Sequence, residues 1–335
     1  MKQAMFFKRL QYKRVQCHLC PHFCLIKQGE RGKCGVRENR DGTLYSLVYE
    51  KALAAGVDPI EKKPLFHFLP GSLTFSVATA GCNLVCDFCQ NWRIAQSPKS
   101  VAPIAGRTMH PKDIVRQALD AGCRSIAYTY TEPTIFFEYA YETARLARKS
   151  GLKNVFVSNG FITAEAVDTI SPYLDAINID LKGFSEGYYR DVCGGRLQPV
   201  LDAVRRYHSR NVWVELTTLI VPGYTTHEET LSRAAEFIAS VDPAIPWHIS
   251  RFFPGYRMKD TPPTEIAVLE KAIRIGKAKG LKYTYTGNMP GDPFESTYCP
   301  NCREKVIERA GLSIRAVHLD GDRCAFCHEM IDLVI

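Results

Sequence analysis

The chain has 335 residues, 46% of them hydrophobic, a formal net charge of +8 and thirteen cysteines. That apolar content is ample for a core, yet no run of eighteen apolar residues occurs, which excludes a membrane-spanning helix, and residues 1–15 lack the apolar stretch of a signal peptide. A cytoplasmic location is therefore expected, the scattered basic residues read as a solvated surface rather than a nucleic-acid interface, and in a reducing compartment the cysteines read as metal ligands or catalytic thiols.

Residues 1–70 form a Cys-rich N-terminal metal-binding segment. Cys17-His-Leu-Cys20-Pro-His-Phe-Cys24 is followed by Cys34, beyond Gly32. Four thiolates so spaced satisfy either a tetrahedral zinc ion or a second iron–sulfur cluster. A small module without its own core needs a structural ion, which favours zinc. Pro59, Pro64 and Pro70-Gly71 read as turns and a boundary.

From residue 73 the texture alternates. LTFSVATA (73–80), SIAYTYT (125–131), NVFVSNG (154–160), AINIDLK (176–182), VWVELTTLIV (212–221) and WHISRFF (247–253) are β-branched or aromatic runs bounded by turn residues, and KYTYTG (282–287) adds a further candidate strand. Between them, 111–122, 133–151, 228–241 and 264–280 carry helical patterns, two opened by Pro111 and Pro133 and two closed by Gly122 and Gly151. Alternating βα units imply a parallel sheet with right-handed crossovers. At about 30 residues per unit, 71–290 holds roughly six or seven units, so the expected fold class is α/β, a partial (β/α)6-type parallel barrel. A doubly wound open sheet fits the same periodicity.

Cys82-Asn-Leu-Val-Cys86-Asp-Phe-Cys89 follows the first of these strands directly. The C-terminal edge of such strands is where βα enzymes place their chemistry. Three thiolates within eight residues can wrap one face of a cubane cluster whose ordinary complement is four, leaving one iron open to a ligand. Residues 291–335 form a C-terminal module in which Cys299-Pro-Asn-Cys302 and Cys324-Ala-Phe-Cys327 have zinc-ribbon spacing, which rubredoxin-like iron could also use. Both terminal sets are expected to be structural and to lie away from the central cysteines. Cys123 and Cys193 stand alone; Cys123 reads as a buried structural thiol, and Cys193, before Gly194-Gly195, reads first as structural, with a place facing the active site as the alternative.

The C-x3-C-x2-C pattern with Phe88 before its last cysteine resembles the signature of radical S-adenosylmethionine (SAM) enzymes. The wider set CHLCPHFC, GERGKCGVR, TYTEPT, SNGF, DLKG and IVPGY resembles the AmmeMemoRadiSam system radical SAM proteins, relatives of the pyruvate formate-lyase activating enzymes. The resemblance implies a [4Fe–4S] cluster on Cys82, Cys86 and Cys89 that cleaves SAM reductively to a 5′-deoxyadenosyl radical. It also implies a flavodoxin- or ferredoxin-like electron donor, and Memo-like and AMMECR-like partner proteins.

Within that resemblance, Phe88, Glu132, Asn159, Asp180, Lys182, Glu215 and His248 are candidate cofactor-binding residues, placed at or near the ends of successive strands. Thr131 departs from the Gly-Gly-Glu-Pro pattern of related enzymes. Each candidate also has a plainer reading: a turn at Asn159-Gly160, an ion pair between Asp180 and Lys182, a core histidine at His248. Three function classes follow: a radical SAM enzyme acting on an unidentified substrate, an activase installing a glycyl radical on a partner protein, and a metal-ribbon binding module without catalysis.

Overall fold

The computed structural model describes residues 1–99 and 103–335 of the chain. Its centre is an eight-stranded sheet. We label its strands β1 (Ala54–Pro59), β2 (Leu73–Ala78), β3 (Ser125–Tyr128), β4 (Lys153–Ser158), β5 (Ala176–Asp180), β6 (Trp213–Ile220), β7 (Trp247–Arg251) and β8 (Thr284–Gly287). Strands β2 to β8 are parallel and pair in strict chain order, while β1 pairs antiparallel to β2 along Ala54↔Ala78 to Pro59↔Leu73. A doubly wound sheet reverses its strand order at a switch point. This one never does, so it is wound in one sense as barrel strands are.

Helices α1 (Pro111–Asp120), α2 (Phe137–Lys149), α3 (Ala164–Ile170), α4 (Leu197–Ser209), α5 (Glu228–Val241) and α6 (Ile266–Ala278) fill the crossovers. Gly276 shows which face they cover. A Cβ there would sit 2.8 Å from Thr284 Cγ2 and 3.2 Å from Trp247 Cε3, so α6 approaches β7 and β8 closely at those two residues. Side chains alternate along a strand, so His248 and Tyr285 point to the other face. There they stack, with ring centroids 5.2 Å apart. Among the described residues, no helix is long and apolar enough to cross a membrane.

The N-terminal segment does not stand apart from this sheet. Ala54–Pro59 is one of its strands, and Val15, Ile26, Val36 and Leu44 share one core with Phe75, Val77 and Ile135. A buried ion pair ties the two together: Arg37 Nη2 lies 2.9 Å from Glu138 Oε1 on α2, with both side chains 2% exposed. Residues 60–69 then cross the helix-free face. Pro64 O accepts from Asn178 Nδ2 at 2.8 Å, and the Phe66 and His67 amides donate to Glu215 at 2.9 Å each.

The C-terminal module, built on β9 (Thr297–Tyr298), β10 (Lys305–Ala310) and β11 (Ser313–Val317), closes the end of the sheet where the parallel strands begin. Arg309 Nη2 donates to Phe66 O at 2.7 Å, and Val334 pairs with Phe68.

Candidate active site at the 82–89 loop

The central cysteines lie at the opposite end, on the loop that leaves β2. That loop is fixed from several sides. Val85 N donates to Cys193 O at 2.9 Å and Asp87 N to Val192 O at 3.1 Å, so it is laced to the π-helical turn Tyr189–Cys193. The two glycines that follow allow the approach. Gly194 is left-handed at φ +72°, and a Cβ on it would lie 2.3 Å from Val85 Cγ2; one on Gly195 would lie 2.7 Å from Leu84 Cδ2. Gly81, at φ +107°, leaves room for Val36 and for the Cys34 carbonyl, which a Cβ would meet at 2.8 and 3.2 Å.

Three of the predicted residues converge on the sulfurs. Asn159 Nδ2 donates to Asn83 Oδ1 at 2.8 Å and approaches Cys82 Sγ at 3.6 Å. Lys182 Nζ sits 3.0 Å from Asp180 Oδ2 and 5.6 Å from the centre of the Phe88 ring. Burial opposes the Lys182 charge, but Asp180 and the neighbouring Cys86 and Cys193 thiols outweigh it and hold the ammonium well above its ordinary range. Phe88 is buried and stacks on Tyr188 at 6.0 Å. It therefore serves as a wall between Lys182 and Tyr188.

Glu132 stands one step back. Fully buried, its carboxylate accepts from Thr134 N (3.0 Å), Thr134 Oγ1 (2.6 Å), Ser158 Oγ (2.8 Å) and Asn159 N (2.8 Å). It fixes the residue that holds Cys82. Burial pushes its pKa up against those four donors.

Glu215 and His248 are not brought to this loop. Glu215 is the third residue of β6 and His248 the second of β7, near the beginnings of those strands. His248 Nε2 donates to Glu215 Oε2 at 2.7 Å, and Trp213 Nε1 joins at 3.1 Å. With the Phe66 and His67 amides, these contacts occupy Glu215 with the 60–69 segment.

Two residues near the sulfurs carried no firm sequence signal. Cys193 is buried, and Cys86 Sγ reaches its carbonyl oxygen at 4.0 Å; the neighbouring Cys193 thiol first, then burial, pushes the Cys86 thiol well up. The Gly194-Gly195 pair was the available clue. Asn83 anchors the loop to Phe161 O through Nδ2 at 2.8 Å. The N-terminal cysteine set lies against this loop rather than away from it: His22 Nε2 donates to Asn83 O at 2.7 Å.

The donor set suits an anionic iron–sulfur cluster. Three thiols on one anchored loop, one amide N–H at a sulfur and one largely buried ammonium supply ligands and compensating charge. Burial pushes the Cys89 thiol up as well, so a bound cation is what would deprotonate it. At the far end, Cys299, Cys302, Cys324 and Cys327 bring all four sulfurs within 4.8 Å of one another, a group able to hold a metal ion.

Comparison with known proteins agrees with this geometry. The chain is 44% identical, over 338 residues and the full length of both chains, to the uncharacterized protein MJ0808 of Methanocaldococcus jannaschii. It is 21% identical over 170 residues to the pyruvate formate-lyase 1-activating enzyme of Escherichia coli K12, covering 50% of this chain and 69% of that one. Among solved structures, a radical SAM methyltransferase from Sphaerobacter thermophilus superposes with a TM-score of 0.52 at 14% identity, over 65% of this chain and 67% of the other. Residues 76–238, which contain the cysteine loop and Glu132, Asn159, Asp180 and Lys182, match the family model described as the radical SAM superfamily. Together with the cysteine loop at the end of β2, this match establishes that the chain belongs to the radical SAM superfamily and is an enzyme of the radical SAM class.

Proposed function

We propose that this enzyme cleaves SAM at a [4Fe–4S] cluster held by Cys82, Cys86 and Cys89, in the cytoplasm, to begin hydrogen abstraction from an unidentified substrate. The observation that carries the reading is the convergence of Asn159 and Lys182 on three thiols fixed at the end of β2. When bound, the cluster supplies the single electron that breaks the sulfonium bond. The chain's own residues orient and shield. Glu132 holds Asn159, Asn159 holds Cys82, and Phe88 with Leu84 keeps water from the sulfurs.

Lys182, kept charged by Asp180, is the residue we assign to the SAM carboxylate. Asp180, with its side chain 40% exposed, is free to accept from an ammonium or hydroxyl group. The motifs shared with AmmeMemoRadiSam proteins support Memo-like and AMMECR-like partners and a flavodoxin- or ferredoxin-like donor. We assign zinc to the C-terminal sulfurs, whose 3.6 and 3.7 Å separations match the contact distance around one such ion. A second reading, an activase installing a glycyl radical, is favoured by the similarity to the Escherichia coli activating enzyme.

The test is anaerobic reconstitution with SAM and a strong reductant. The expected product is 5′-deoxyadenosine, absent from a Cys82→Ala/Cys86→Ala/Cys89→Ala variant. If that variant makes as much as the wild type, the assignment is wrong. Supplying candidate small molecules and partner proteins separately then decides between the two readings.

A further inference from the structure

The two terminal cysteine sets differ in kind. Around one zinc, thiolates at about 2.3 Å lie about 3.8 Å from one another. The C-terminal set has that spacing: Cys299 and Cys327 sulfurs are 3.6 Å apart, Cys302 and Cys324 sulfurs 3.7 Å. Among the described residues, no other group of three or more Cys, His, Asp or Glu ligand atoms draws within 4.8 Å of one another. Cys17, Cys20, Cys24 and Cys34 instead stand around a shared cavity of about 20 Å³, walled by Ile26, Ile135 and Arg37.

Three features of that cavity point to what fills it. It exposes no polar surface, so a water there would lack the two to four partners it needs. Arg37, with its side chain 2% exposed, spends Nη1 and Nη2 on Glu138 and the Met5 carbonyl but leaves Nε without any acceptor. A buried donor left unmade is costly, and it belongs to a cationic side chain that lines the cavity beside Cys17 and Cys34, where its charge suits an anionic cluster. Finally, Cys17, Cys20 and Cys24 span eight residues, as Cys82, Cys86 and Cys89 do, which is enough to wrap one face of a cubane.

The position is as informative as the chemistry. His22, between Cys20 and Cys24, donates from Nε2 to the carbonyl of Asn83, the residue after Cys82, at 2.7 Å. On the other side of Cys82, the Cys34 carbonyl packs so closely on Gly81 that a Cβ there would lie 3.2 Å away. Both neighbours of Cys82 therefore touch the N-terminal segment, and Cys20 and Cys24 are partly exposed.

We propose that Cys17, Cys20, Cys24 and Cys34 hold a second [4Fe–4S] cluster, fully ligated by protein, which relays single electrons to the site at Cys82, Cys86 and Cys89. The relay role rests on the function proposed above; the identity of the cluster does not. With four thiolates no iron is open, so its chemistry is confined to electron transfer. A low-potential one-electron donor protein is oxidised as the second cluster is reduced. That cluster is reoxidised as the central site takes the same electron, with no bond made or broken and no proton moved.

The test uses the full-length Cys82→Ala/Cys86→Ala/Cys89→Ala variant, reconstituted anaerobically with iron and sulfide. It should retain about four acid-labile sulfides per chain and a [4Fe–4S] Mössbauer spectrum, against about eight sulfides in the wild type. Acid-labile sulfide separates this from zinc or a single rubredoxin-like iron, which carry none. Zinc without sulfide, a [2Fe–2S] spectrum or no metal at the N-terminal set would overturn the proposal.

The relay is read on the wild type, by freeze-quenching after mixing with reduced flavodoxin. The signal that SAM leaves unchanged should rise before the one that SAM perturbs; the reverse order or simultaneous rise would refute relay. If the triple variant keeps its sulfides but no wild-type signal responds to SAM, the second cluster stands and the function proposed above fails.

Discussion

Glu132→Gln tests the support beneath the central cysteines most directly. The buried carboxylate takes three donors on Oε1 and the Asn159 amide on Oε2. A glutamine can keep its carbonyl oxygen toward the three donors, but its NH2 then faces the Asn159 N–H. One charge-assisted bond is lost, about 1.5–3 kcal/mol, and buried donors stranded face to face cost about 1–3 kcal/mol more. Removing a buried charge returns part of this, because burial opposes the ionised form. The expected net loss is about 3 kcal/mol. Anaerobic urea unfolding followed by tryptophan fluorescence measures it. Because Asn159 also holds Cys82 and Asn83, the variant should lose sulfide from the central site faster on exposure to a chelator. A change below about 0.5 kcal/mol with unchanged sulfide retention would show that Glu132 is not an ionised acceptor holding Asn159.

Gly194→Ala should shift the 82–89 loop and lower the sulfide bound there, since the added Cβ would meet Val85 Cγ2 at 2.3 Å; Gly223→Ala, also left-handed at φ +79° but with nothing within 4 Å, should cost only the backbone term of about 1–2 kcal/mol. His67 gives the pH dependence. Its Nδ1 donates to Asp332 O and its Nε2 accepts from Tyr285 Oη, so the folded ring is neutral, and burial first of all holds its pKa down at about 4 from 6.5. The unfolded chain takes up the proton below pH 6.5 while the folded one refuses it, so this stability is full above pH 6.5 and declines as pH falls toward 4. The fall from pH 6.5 to 5 is about 2 kcal/mol, and His67→Gln should flatten it in unfolding free energies measured at pH 7 and pH 5. Cys324→Ser should remove about one metal ion per chain while leaving the response of the central cluster to SAM intact, as metal analysis and electron paramagnetic resonance would show.

Much of the sheet is legible in sequence because each parallel strand is a short β-branched or aromatic run buried on both faces. Ser125–Tyr128 and Lys153–Ser158 carry that signal without ambiguity. β1 does not. Its sequence AAGVDP has a glycine and a closing proline and no alternation, and it becomes a strand only because the edge of β2 is there to pair with. α4 is concealed by Pro199, which reads as a breaker yet falls in the first turn, where no intrahelical N–H is required. The short strands of residues 1–46 lack any period of their own; ladder pairing and the Arg37–Glu138 pair hold them in place.

The site divides along the same physical line. The spacing of Cys82, Cys86 and Cys89 is recognisable because spacing within one loop is a local property. Which level of the sheet a polar residue occupies is not local. Glu215 and Asp180 both lie on inward-facing strand positions, but register pairs Asp180 with Thr217, two residues further along β6, and Glu215 with Asn178. That offset sets Asp180 beside the cysteine loop and Glu215 beside Phe66 and His67. The occupant of the lower level comes from residues 60–69, whose sequence gives no sign that they cross beneath the strands.

The N-terminal segment is part of the structure around the central cysteines. Gly81 and Asn83 flank Cys82, and their partners are the Cys34 carbonyl and His22. A loop gripped on both sides of Cys82 by the Cys17–Cys34 segment cannot keep its shape independently of that segment. Whatever fills the cavity among Cys17, Cys20, Cys24 and Cys34 therefore also sets the geometry of the central site.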